Sequence, residues 1–229
     1  MHDRPPNESE NPGRRPFLSK LAVGAAAGAA GLSLTSAIDP REAWAEAQPG
    51  GGPDGAHWLD GLKGTHKHLV DAYMPNEGFP FAFVFSFYAV QPPPAQVGTV
   101  MVLRHMAMPF ALNDAMWAKY KIGEGIKFND GATKAPAVKN VMYKPKPGSL
   151  PIDDMAIDKL MAKGTIFGAC NVALQFLSAE FAANAKVTKE AAAKEWAANL
   201  VPGIPLIPSG TWGVNRAQEK GCTYCTGGG

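Results

Sequence analysis

Two long apolar runs with hardly a polar break, Phe81 to Val90 (FAFVFSFYAV) and Val97 to Leu103 (VGTVMVL), constrain the fold more than any other feature. Aromatic and β-branched residues without alternation predict strands buried on both faces, and such strands belong to parallel sheets covered by helices. Thr165 to Ala169 (TIFGA) and Ile204 to Ile207 read the same way, and a short last strand is expected over Cys222 to Cys225. Helical stretches alternate with these runs. Thr65 is positioned to cap a helix from His66 to Met74, stopped by Pro75-Asn76-Glu77-Gly78. Further helices are expected from Asn113 to Tyr120 (begun at Phe110), from Asp153-Asp154 to Lys163, and from Val172 to about Ala185. Two more run from a Thr188 cap to Leu200 and from Thr211 to Lys220. Strands alternating with helices call for right-handed crossovers. The fold class expected is α/β: a three-layer sandwich with a mainly parallel sheet of about five strands.

The first 47 residues read differently. Arg14-Arg15-Pro16-Phe17-Leu18-Ser19-Lys20 precedes an Ala/Gly-rich, mildly apolar stretch from Leu21 to Ile38, with small-residue cleavage options at Ala43-Trp44-Ala45 and Ala45-Glu46-Ala47. A polar leader, twin Arg, a short apolar region and small residues before a cut make an export signal. It resembles the signals of the twin-arginine route, which carries folded proteins across the bacterial inner membrane. The expected organisation is a signal peptide over 1–47 and a Gly/Pro-rich flexible linker over 48–56. One α/β domain follows over 57–226, and 227–229 form a glycine tail. Within the domain, 121–151 is rich in Gly, Lys and Pro and reads as a long insertion loop, a lid or an interface. The localisation implied is the bacterial periplasm.

The charge balance is close to even, with 22 Lys+Arg against 20 Asp+Glu and a net charge of +2. That argues against a nucleic-acid surface, which requires a concentrated basic stripe. No segment after the leader is apolar enough for a membrane span.

The candidate chemistry centres on three cysteines, Cys170, Cys222 and Cys225. Cys170 falls at the carboxyl end of an expected strand with a helix starting immediately after it. That edge of an open α/β sheet is where ligands bind, and a helix N-terminus stabilises a thiolate. The competing reading is a packing cysteine, since free Cys is among the most buried residue types. Asn171 beside it would orient a ligand or cap the helix. Cys222-Thr223-Tyr224-Cys225 has the spacing of a redox dithiol; structural disulfide, sulfur handling with Cys170, and unpaired thiols all remain open. Arg104-His105-Met106-Ala107-Met108 follows the Val97–Leu103 run. Arg104 and His105 are candidate anion or substrate contacts near Cys170. His105 with Met106 and Met108 is an alternative copper set, of soft and borderline ligands. His66 and His68 are too far apart around a helix to chelate.

Three stretches carry a family resemblance: Gly168-Ala169-Cys170-Asn171-Val172-Ala173-Leu174, then Leu200 to Gly210 (LVPGIPLIPSG), then Arg216-Ala217-Gln218-Glu219-Lys220-Gly221. Over about sixty residues, Thr165 to Tyr224, the chain resembles the DsrE/DsrF-like proteins, small flavodoxin-like domains of sulfur transfer and sulfur oxidation. In some members a Cys at the place of Cys170 carries sulfur as a persulfide. The resemblance implies that Cys170 is a sulfur-carrying thiol and that Ser209, in the Pro-Ser-Gly turn, borders the ligand. It also implies homo- or hetero-oligomers. The chain departs from the cytoplasmic members in its export signal, its 121–151 excursion and its terminal cysteine pair.

The expected function is therefore an exported, periplasmic sulfur carrier or transferase. Sulfane sulfur would be bound or transferred through Cys170, with Cys222 or Cys225 as resolving thiol. Its partners would be a small sulfur compound or a partner thiol protein, with no nucleic acid and no membrane after cleavage, and the chemistry calls for no cofactor. The alternatives are a non-catalytic binding or assembly subunit of an oligomer, and a copper-binding protein.

Overall fold

The computed structural model describes residues 56–90 and 96–228. The expected export signal and most of the expected linker lie outside the described residues. Five strands form one all-parallel sheet: β1 (His66–Ala72), β2 (Val97–Leu103), β3 (Ile166–Cys170), β4 (Leu206–Ile207) and β5 (Thr223–Thr226). Their order across the sheet is β4-β3-β2-β1-β5. The helices are α1 (Phe79–Val90), α2 (Asp114–Lys119), α3 (Ile122–Gly125), α4 (Ile157–Ala162), α5 (Asn171–Ala185), α6 (Lys189–Ala198) and α7 (Gly210–Glu219).

Successive strands β1 to β4 each step to the neighbouring position, and only the last crossover returns past β1 to place β5. Parallel crossovers have one hand, so steps in one direction put their helices on one face and the return step uses the other. The two apolar clusters follow that division. Val70, Ala72, Met101, Leu103, Phe167 and Ala169 point into the larger cluster, with Phe81 and Val84 of α1, Leu174 and Phe181 of α5, and Trp196 of α6. Leu69, Val100, Val102 and Ile207 point the other way, onto Ala217 of α7 and Leu59 of a short 3-10 turn. The three-layer α/β sandwich expected from the sequence is the one observed.

Two local expectations are overturned, and they trade places. His66–Ala72 is strand β1, not a helix, and Phe79–Val90 is helix α1, not a strand. Leu69, Val70 and Ala72 are fully buried where β1 lies between β2 and β5. Tertiary pairing decides the backbone of a segment whose first half is polar. In α1 the inward residues Phe81, Val84, Phe85 and Tyr88 recur at helical spacing. The period is hidden because the outer side is apolar as well: Phe79 and Val90 are exposed. Gly78, at φ +89°, turns the chain into the helix, and Pro80 sits in the first turn, where no backbone donor is needed.

The 121–151 excursion, expected as a lid or interface loop, is fastened into the larger cluster through Phe128, Ala137, Val141 and Met142. Buried Asn140 holds it, donating through Nδ2 to the carbonyls of Phe110 and Leu112, both at 2.8 Å. Phe110 in turn packs against Phe81, Trp117 and Phe128 with centroids 5.0–5.4 Å apart. The glycine tail is likewise held at its start, where the Gly227 N–H donates to the Asp71 carbonyl at 2.8 Å. Among the described residues no helix is long and apolar enough to cross a membrane.

The exchange of strand for helix has a direct test. Phe81→Ala should cost about 3–5 kcal/mol, as for a deleted core aromatic. Val90→Ala, at the exposed helix end, should cost less than about 0.5 kcal/mol. Urea denaturation of the two variants measures both, and a strand buried on both faces would make both costly.

Candidate functional site

The carboxyl ends of β2, β3 and β4 lie side by side, with Leu103 opposite Ala169 and Cys170 opposite Ile207. After β3 the chain leaves through α5 on one face; after β4 it leaves through α7 on the other. Neighbouring strands whose connections diverge leave a crevice at their carboxyl ends, the switch point of an open α/β sheet. A cleft of about 470 Å³ opens there. Cys170 lies at its floor, Arg104 to Met106 form one side, the outer face of α5 another, and Ser209 to Thr211 the third.

Cys170 is the N-cap of α5, and its Sγ accepts from the Ala173 N–H at 3.3 Å. Ser209 is the N-cap of α7, its Oγ accepting from the Trp212 N–H at 3.2 Å. Two helix N-termini thus converge on one sulfur. Burial is the largest influence on this thiol and pushes its pKa up; the N–H groups of Ala173, Gly210 and Val172, and then the charge of Arg104, pull the other way without overcoming it. At rest the site holds a thiol, 5% exposed, inside a ring of groups that favour an anion.

Arg104 is fixed from behind. Its Nε and Nη2 donate to the Asp71 carboxylate at 2.6 and 2.8 Å, and Tyr224 Oη donates to the same carboxylate at 2.9 Å. The guanidinium stacks over Tyr73 at 5.1 Å. Asp71 is 2% exposed, so this bidentate pair is largely withdrawn from water on its acidic side. Gly210 is required by close approach: a Cβ there would lie 2.4 Å from Arg104 Cβ and 2.5 Å from its Cδ. Its absence lets the first turn of α7 rest on the arginine stem. His105, next along the rim, is exposed and held at φ +47°, a left-handed conformation uncommon for a residue with a Cβ.

Of the residues singled out in the sequence, Cys170, Arg104, His105, Met106 and Ser209 meet around the cleft. Asn171 does not border it; it is buried, and its Oδ1 accepts from Gln175 Nε2 at 3.3 Å. Met108 is fully buried in the larger cluster, apart from exposed His105, while Met106 shares the rim of the cleft with His105. His66 and His68 lie on β1, not on a helix; His68 stacks on Phe87 at 4.3 Å, and burial lowers its pKa.

The remaining cysteines are elsewhere. All three thiols are free. Cys222 belongs to the smaller cluster and Cys225 packs against the larger, so the pair is divided by the sheet. Burial pushes the Cys222 thiol up to about 11, against the pull of Lys67. β5 is three strand positions from β3, roughly 14 Å at the usual spacing, so neither thiol reaches Cys170 within the chain.

Asp71, Tyr73 and Tyr224 escaped the sequence reading, as did Phe176 and Glu180 on the outer face of α5. The signal for Asp71 was a lone carboxylate among Leu69, Val70 and Ala72, legible only once the segment is a strand.

The fold and cleft define a class: an open, all-parallel α/β domain with a buried thiol at its switch point. No protein-family model, curated protein or solved structure matches the chain.

The electrostatics of the site give two expected outcomes. Asp71→Asn should cost about 1.5–3 kcal/mol, because one acceptor oxygen becomes an amide N–H that faces a donor of Arg104 or Tyr224, and Tyr224→Phe about 1 kcal/mol, read by denaturant midpoints. Because the Cys170 pKa is raised, its alkylation rate in the folded protein should still be rising with pH above the midpoint of an ordinary thiol. Iodoacetamide trapping with peptide mapping measures it; a plateau below neutral pH would contradict the balance described.

Proposed function

We propose that this chain is an exported, periplasmic thiol protein that binds or transfers sulfane sulfur through Cys170, as its DsrE-like segment implies. The observation that carries the reading is the placement of Cys170 Sγ at the floor of the switch-point cleft, between the N-termini of α5 and α7. Amide donors and Arg104 favour an anionic sulfur there. In the step proposed, Cys170 sulfur attacks the outer sulfur of a donor hydropersulfide, R–S–SH. The donor S–S bond breaks, a new S–S bond forms on Cys170, and R–S⁻ leaves with the proton given up by the Cys170 thiol. The products are Cys170–S–SH and R–SH, with no net oxidation. Release is the same exchange run by an acceptor thiol. Cys222 and Cys225 are too distant to resolve the persulfide, so the acceptor belongs to another molecule.

The alternative of a non-catalytic binding or assembly subunit has one observation in its favour: burial holds Cys170 as a nearly inaccessible thiol. The two readings part on sulfur loading. Incubation with a small organic hydropersulfide followed by intact-mass analysis should add one sulfur to Cys170, removable by reductant. Cys170→Ser should abolish that addition, while Cys222→Ser and Cys225→Ser should retain it. A Cys170 that never loads leaves the binding subunit as the function.

A further inference from the structure

The cleft is far larger than an inorganic sulfur anion needs, and its walls differ in character. Val172, Phe176 and Glu180 follow one another at i, i+4, i+8 along α5, giving a wall about 12 Å long. Phe176, 69% exposed, and its neighbour Leu177 make the middle of that wall apolar. One end carries Arg104 and the two helix N-termini; the far end carries the exposed carboxylate of Glu180. Positive charge and amide donors are thus confined to the Cys170 end, and a second anionic group would meet Glu180.

We propose that the cleft binds an amphipathic organic monoanion, with its single anionic head at Arg104 and the start of α7 and its apolar body along Phe176. The inference deepens the reading of the same cleft and rests on it in taking Cys170 as the group that faces the bound molecule. Asp71 supports the assignment from behind. It occupies the Nε and Nη2 of Arg104 and so fixes the plane of the guanidinium, while Nη1 is not engaged by it. The body is recognised by burial of apolar area, which is proportional to its length. A sulfonate, thiosulfonate or carboxylate head would satisfy the same donors.

The test uses octane-1-sulfonate, which has the head and body but no transferable sulfur, titrated calorimetrically into the full chain. It should bind at least about tenfold more tightly than methanesulfonate or sulfate, since only it covers the apolar wall. Phe176→Asp and Thr211→Glu should each weaken it by about tenfold or more. Both positions are exposed, and an acidic residue in the first turn of α7 favours the helix, so neither loss would come from unfolding. Equal affinity for the three anions, no binding, or affinity unchanged in both variants would overturn the proposal. Octane-1-sulfonate carries no transferable sulfur, so its binding is read apart from sulfur loading. Octanesulfonate binding without sulfur loading would therefore remove the sulfur reading alone, and sulfur loading without octanesulfonate binding would remove this inference alone.

Discussion

A crossover between neighbouring parallel strands has one hand, and the position of everything else in this protein follows from that constraint. Three successive steps from β1 to β4 stack α1, α5, α6 and the chain between β2 and β3 on one face. The single return step to β5 leaves α7 nearly alone on the other. The layers are unequal because the steps are unequal. The divergence falls between β3 and β4, so a gap opens beside Cys170 without any loop having to be shaped for it. Short connections then suffice: Asn171 begins α5 directly after Cys170, and Ser209 caps α7 two residues after β4.

That origin explains the mixed character of the Cys170 environment. Cys170, at the end of β3 between two neighbouring strands, is deeply buried, which opposes a charged thiolate. The same topology aims two helix N-termini at it, which favours one. The opposing influences leave a thiol that is protonated at rest yet surrounded by the donors an anion would use.

The architecture was legible in the sequence, and the parts that were not fail for physical reasons. The strand count survived because two errors compensated: β1 was read as helix and α1 as strand, leaving the alternation intact. In Phe79–Val90 an apolar outer side erased the helical period. In His66–Ala72 a polar start concealed a segment whose last four residues are buried between two strands. Cys170, Arg104, His105, Met106 and Ser209 were legible because strand ends in such sheets share a rim. Asn171 was misplaced because adjacency in sequence at a helix start sends neighbouring side chains in different directions. The Cys222–Cys225 spacing suggested a pair, yet on an extended chain residues three apart face opposite sides, and the two thiols lie in different clusters.

The network behind Arg104 joins elements distant in sequence, and none of its members is informative alone. Asp71 comes from β1, Tyr224 from the edge strand β5, and Arg104 from the end of β2. A buried carboxylate is tolerable only when its lone pairs are engaged, and here it accepts from two guanidinium nitrogens and a phenol. The edge strand therefore does more than extend the sheet. β5 is short, and the tyrosine it carries completes the shell of Asp71, which in turn sets the orientation of the arginine beside the cleft. The Tyr224 hydroxyl bonds Asp71 and is not itself among the groups that line the cleft. The terminal Cys-Thr-Tyr-Cys segment matters to the site through its tyrosine, while its two cysteines pack on opposite faces of the sheet.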